Sequence, residues 1–459
     1  MRTQSEQFAD FALDLRWESV PPAIAEIAKG HFLDVVGIAL ASCKFDYGRA
    51  VLEGVRSLGE GSAATAIGSG RKLPAASAAL VNGTLAHGLD FDDTHIAAIY
   101  HASAPAFAAS LAAAEAAGAS GRVALAAYTA ALEIGCRLAG AADGAFHDRG
   151  FHPTALCGTF AAAAAAGKLQ GASQGELTSA LGLCGSQAAG ILELEGSWLK
   201  RLHPGWAAHA GIVAVGLARS GFLGPRTVFE GAHGFYRAHI ERSPVDERAP
   251  THLLGKVWHA AGLALKPYPC CHFIHAFVDA ALWLREQVPF AAIERIDCAL
   301  SERLHHMVAE PRERCIRPQK TYDALFSVPY VVALALVKGR VDLAAFYDEP
   351  LDDPEILRLA ALTICSRDPA SDYPAHFPGE VSIHLKDGRV LQRREPFSRG
   401  TPERRLDRED ITRKFMQNAI RAIPEAQAAR VANTVWRLDE LGSLQELTQL
   451  CTANHGDRT

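Results

Sequence analysis

The chain has 459 residues, 46 basic against 51 acidic, for a formal net charge of −5. That length supports more than one hydrophobic core, and the balanced charge gives no sign of a nucleic-acid surface. Ten cysteines are scattered with no C-x-x-C pair, which argues against a zinc ribbon, an iron–sulfur cluster or a redox motif and fits free thiols in a reducing cytosol.

The opening MRTQSEQFADFALDLRW lacks the apolar core of a signal peptide, and the Ala-rich region is interrupted by Glu115 and Arg122. The expectation is a soluble, cytoplasmic protein with no membrane partner. Residues 5–42 read as two amphipathic helices, the second running from Pro22 to Ser42 through Ile24, Ile27, Phe32, Val35 and Ile38. A further helix and a Gly-rich connection fill 46–70. From Ala75 to Gly224 alanine dominates, and its high helix propensity and small side chain predict closely packed helices near 75–88, 103–117, 121–140, 154–170, 175–188 and 205–220.

Beyond residue 268 the pattern changes. Helices are predicted at 273–288, 322–337 and 353–364. Ile296, Cys298 and Leu300 alternate along one strand, and Val381, Ile383 and Leu385 lead into a hairpin turning at Asp387-Gly388. Helices return at 408–422 and 425–440, while the closing TANHGDRT reads as disordered. The expected fold is mainly α, with a large all-helical domain over 1–267, a smaller inserted α+β domain over 268–397, and C-terminal helices at 398–459 returning to the first domain.

Chemistry concentrates in a few stretches. Between Asn82 and His101 lie His87, Asp90, Asp92, Asp93, Thr94, His95 and His101. Three carboxylates within four residues repel one another, so the loop needs cations or donors nearby, a setting that tunes pKa values. An acidic, solvated turn capping the next helix is the plain alternative. His152 precedes Pro153 at the predicted start of a helix, where backbone donors favour an anion. Lys200, Arg201 and His203 precede Pro204 and Gly205, so they are expected just ahead of another helix, calling for an anionic partner. Lys266, Cys270, Cys271, His272 and His275 share one Pro-fixed stretch, and Tyr330 follows Pro329 into a helix. No phosphate loop occurs, and the Gly-x-Ser-x-Gly match GASQG at 171–175 lies between two predicted helices, without the preceding strand a nucleophile elbow needs. Cations would hold a substrate with two or more carboxylates while an Asp or His moves a proton α to one of them, which favours lyase or isomerase chemistry over hydrolysis.

In this order, NGTLAHGLDFDDTH, HPTALCGTFAAAAAAGKL, LKRLHPGWAAHAG, KPYPCCHFIH and FSVPYVVA resemble the MmgE/PrpD family, and PFSRGTPERRLDREDITRKF resembles its closing pattern. The resemblance implies a helical domain built from both ends of the chain, an α+β lid and a homodimer. It also implies activity as a 2-methylcitrate dehydratase, cis-aconitate decarboxylase or iminodisuccinate epimerase on a small carboxylate, without metal or organic cofactor. By motif, Asp90, Thr94, His101, His152, Lys200, Lys266 and Tyr330 fall at family active-site positions. Asp90 or His101 would be the base, His152 the proton donor, and Lys200 and Lys266 the carboxylate clamps; Thr94 and Tyr330 would orient the substrate, with His203, Cys271 and His272 as further substrate-binding positions. The chain departs from the decarboxylase pattern, which has a histidine five residues after the lid lysine; here that position is Cys271, with His272 one further on. The segment IAAIY before His101 also differs. The resulting expectation is a 2-methylcitrate dehydratase-like hydro-lyase, with epimerase or decarboxylase as alternatives. A metal-dependent hydrolase using His87, Asp90, Asp93 and a Cys/His pair is the competing class, and a helical scaffold without catalysis is a third.

Overall fold

The alanine-rich sequence forms the helices that carry the fold in a computed structural model, which describes residues 2–240 and 249–453. Contacts divide the chain into two units, one of Met1–Leu263 with Asp407–Thr459 and the other of Ala264–Leu406. Mainly α is the observed class. The expectation for the tail falls, from 454 on, outside the described residues.

In the first unit the helix Pro153–Leu169 lies at the centre, against Ser103–Ala117, Gly121–Gly140 and Leu199–Arg219. Every residue from Pro153 to Gly167 is buried, and small side chains make that possible. A Cβ on Gly211 would sit 2.6 Å from that of Ala162, and one on Gly205 would sit 2.2 Å from the carbonyl oxygen of Leu80. Helix ends are fixed locally: Ser120 accepts from the amide of Val123, and Ser173 and Glu176 form a capping box. Arg408–Ala419 packs on Pro22–Ser42. Among the described residues, Gly121–Gly140 alone is long and apolar enough to cross a membrane. It is a core helix, carrying the fully buried pair Arg137–Glu133 at 2.5 Å.

The second unit holds a four-stranded sheet in the order Thr363–Arg367, Ile293–Leu300, Gly379–Leu385, Val390–Glu395. The first pair is parallel and the others antiparallel; Cys298 faces Cys365 on one side and Val381 on the other. Gly388, at φ 86°, supplies the left-handed residue of the hairpin turn. Helices His275–Arg285, Val328–Lys338 and Pro354–Leu362 share a core with this sheet.

Three expectations differ. The helix predicted from 205 begins at Leu199 and runs through Pro204. Proline costs that helix one hydrogen bond, and the close seat of Gly205 against Leu80 and Thr84 holds the turn in place. The helix predicted over 322–337 breaks into Thr321–Leu325 and Val328–Lys338, because the Ser327 hydroxyl accepts from the amide of Tyr330 and caps the second piece. The strand Thr363–Arg367 was not predicted at all; it follows a helix directly, and mostly exposed side chains beyond Thr363 leave no alternating signal.

Candidate active site

The helix Ala75–Ala86 ends at His87, and the next fourteen residues fold the polar stretch back onto it. Asp90 stands in the left-handed region at φ 51°, a conformation aspartate tolerates better than most side chains. The loop is tied down from behind. Lys414, on Arg408–Ala419, donates to the carbonyl of Phe91 at 2.8 Å and pairs with Asp34 at 2.7 Å.

The three aspartates diverge. Asp92 is fully buried and accepts from His87 Nδ1 at 2.8 Å, with His101 Nδ1 at 3.4 Å. Burial alone would raise its pKa, but the two imidazoles hold its carboxyl well below the usual range. Asp93 is also buried. Its oxygens take His31 Nδ1 at 2.7 Å, the amide of Ser103 at 3.0 Å and the Ser103 hydroxyl, which itself accepts from Tyr128. Asp90 keeps 30 % of its side chain exposed and accepts from Lys200 Nζ at 2.8 Å, with that lysine exposed to the same degree. Asp90 and Lys200 are therefore the charged pair a solute can reach. An acidic, solvated turn does not describe the loop.

His101 donates from Nδ1 to the main-chain oxygen of Asp93 at 2.8 Å, with Thr94 Oγ1 at 3.5 Å. A carbonyl only accepts, so Nδ1 carries a hydrogen, and in the neutral ring Nε2, 3.8 Å from Asp90, presents a lone pair. His152 caps the helix Pro153–Leu169, and its Nδ1 lies 2.9 Å from Nδ1 of His203. Burial pushes His152 well down and His203 to about 4, so both are neutral at pH 7. The rings of His87, His101 and His152 lie with centroids 4.6 to 5.9 Å apart.

Asp90, Thr94, His101, His152, Lys200 and His203 thus gather around one point of the first unit. Lys200 lies in the first turn of its helix, with His203 a turn further on, rather than ahead of it. The remaining candidates belong to the second unit. Lys266 is buried there; Cys271 donates its amide to Leu325, and His272 stacks near His275 and Phe377. Burial raises the phenol of Tyr330 to about 12, and its hydroxyl has no hydrogen-bond partner among the described residues.

Sequence reasoning left Asp92 and His31 out. Asp92 carries the same signal as its two neighbours. His31 and Asp34 stand three apart in the largely apolar stretch from Phe32 to Ala41 and its edge, and that pairing is the available clue. The hydrolase constellation does not form: Asp93 spends its oxygens on His31 and Ser103, and no cysteine joins the groups of close ligand atoms among the described residues.

Fold and cluster together define a mainly helical protein with a buried histidine–aspartate cluster. The chain belongs to the MmgE/PrpD family, whose N-terminal domain matches residues 6–248 and whose C-terminal domain matches 268–440. It is 27% identical to cis-aconitate decarboxylase of Aspergillus terreus over 97% of this chain and 95% of that one. The cis-aconitate decarboxylase of Mus musculus is also 27% identical, over 98% of this chain and 93% of its own. A 2-methylcitrate dehydratase of Cupriavidus necator is 26% identical over 46% of this chain and 45% of its own. Such members are lyases of small carboxylates.

Proposed function

We propose that the chain is a cofactor-independent lyase that abstracts a proton α to a carboxylate of a small di- or tricarboxylate, and most specifically a 2-methylcitrate dehydratase-like hydro-lyase. The observation that carries this reading is the part-exposed Lys200–Asp90 pair beside the Nε2 lone pair of His101. A substrate carboxylate competes with Asp90 for Lys200. His101, or Asp90 once released, takes the α-proton, and the ammonium charge of Lys200 stabilises the enediolate. The β C–O bond then breaks. The abstracted proton and the departing hydroxide leave as water, and neutral His152 donates a hydrogen bond to that oxygen. The clamp role of Lys266 and the orienting role of Tyr330 rest on the motif resemblance, as does a homodimeric assembly.

Decarboxylation is the second reading, favoured by the near full-length likeness to cis-aconitate decarboxylases. Cys271, where the decarboxylase pattern has histidine, weighs against it. Proton NMR in D2O decides between them, using 2-methylcitrate, citrate, cis-aconitate, iminodisuccinate and α-substituted succinates. The dehydrated acid is expected as product, with deuterium entering the α-carbon of the recovered substrate through reversible abstraction. A decarboxylated product supports the second reading, and absence of both product and exchange with every acid overturns both.

A further inference from the structure

The geometry points to a transition-metal site of the zinc class formed by His87, His101 and His152, at which a bound ion blocks the acid–base cluster. One ring nitrogen from each histidine lies within 4.8 Å of the others. Zinc holds imidazole nitrogens at about 2.1 Å, so ligands around one tetrahedral ion stand about 3.4 Å apart. Closing the gap asks each ring to move by about 1 Å.

The outer contacts prepare these rings as ligands. His87 places Nδ1 on the Asp92 carboxylate at 2.8 Å, and His101 places Nδ1 on the main-chain oxygen of Asp93 at 2.8 Å. His152 places Nδ1 on His203 at 2.9 Å. Each ring is therefore fixed through one nitrogen, the arrangement by which carboxylates and carbonyls orient metal-binding histidines. The opposite nitrogens, Nε2 of His87 and Nε2 of His152, are buried and have no hydrogen-bond partner among the described residues. Unpartnered buried polar atoms carry a cost, and two of them in one cluster of three rings mark a place for a ligand that accepts lone pairs. Asp90 belongs to an overlapping group with His87, Asp92 and His101, which places a carboxylate beside two of the three rings. Imidazole with one carboxylate suits Zn2+, Co2+, Ni2+ and Cu2+, and is poor for Mg2+ or Ca2+. Such an ion occupies the nitrogens that the proposed reaction uses, so it inhibits. That consequence rests on the proposed function, whereas the binding does not.

The test uses the full chain after chelator treatment, with Co2+ titrated spectroscopically and Zn2+ by equilibrium dialysis, both without substrate. One ion per chain is expected, giving visible tetrahedral Co2+ bands without the near-ultraviolet thiolate band. Asp92→Asn, which keeps the shape and removes the charge behind His87, should weaken Zn2+ about 10–100-fold. His152→Gln should abolish tight binding while circular dichroism reports the helices intact. As a second readout independent of variants, Zn2+ should raise the melting temperature of the unsubstituted chain, and Mg2+ should not. Absence of a stoichiometric ion, a thiolate band, or undiminished binding in His152→Gln overturns the inference. A chain that binds the ion but turns over no acid leaves the site standing and sinks the proposed function instead.

Discussion

Replacing Lys414 with methionine removes the post behind the aspartate loop. Lys414 is 5 % exposed and meets the carbonyl of Phe91 at 2.8 Å, the Asp34 carboxylate at 2.7 Å and the face of the Phe91 ring at 3.8 Å. Methionine keeps the volume and loses the charge. Asp34, 1 % exposed, then faces burial without its main compensation. Burial already raises Asp34 from 3.8 to about 6 even with the lysine present, a cost of about 3 kcal/mol for its ionised form. Removing one partner of such a pair costs about 3–5 kcal/mol. The sign of the pH dependence follows. A carboxyl whose folded pKa is raised binds more protons folded than unfolded, so its contribution falls as pH rises from 3.8 to about 6. In Lys414→Met that decline extends above 6, and Asp34 is protonated further toward neutrality. Denaturant unfolding at pH 5 and pH 7.5 measures both effects, with Asp34→Asn and the double variant completing the cycle. The double variant should recover much of the loss. Stability within about 0.5 kcal/mol of the parent for Lys414→Met, or strict additivity of the two substitutions, refutes the reasoning.

Acid should weaken the chain through His152 and His203. Their folded pKa values lie below 6.5, so stability is full above 6.5 and falls toward pH 4; His203→Asn should flatten that slope in denaturation curves. Gly205→Ala should destabilise by about 3 kcal/mol in the same assay, since its Cβ would meet the backbone of Leu80 at 2.2 Å and the Thr84 hydroxyl at 2.4 Å. Lys200→Ala should lower turnover by more than about 100-fold, as expected for a charge aimed at a developing oxyanion, with little change in melting because the lysine is part-exposed. Lys266→Ala should abolish turnover with the helices intact, and activity at the parent rate removes it from the carboxylate clamp.

The alanine-rich helices were legible because propensity, period and caps agree along 103–117, 121–140 and 174–187. Their failures are local. Pro204 looks like a start signal, and only the groove under Gly205 shows why the helix passes through it. Thr363–Arg367 is an edge strand whose side chains alternate little, so its pairing with Ile293–Leu300 exists only in three dimensions. The histidine–aspartate cluster was visible as a crowd of polar residues, but the partners of each were not. Asp90, Asp92 and Asp93 are chemically identical neighbours, and the chain sends one to Lys200, one to His87 and one to His31. His31 is separated from Asp93 by 62 residues, a distance no local pattern spans.

The contact from His101 to the main-chain oxygen of Asp93 has a consequence for how such a chain varies over generations. Every residue except its own imidazole can change without deleting the acceptor, because position 93 supplies a carbonyl whatever side chain it bears. The orientation of the His101 ring is thereby inherited with the path of the loop, and that path includes left-handed residues at Asp90 and Ile99. Drift that preserves the path can change the side chains around the ring while leaving its orientation in place.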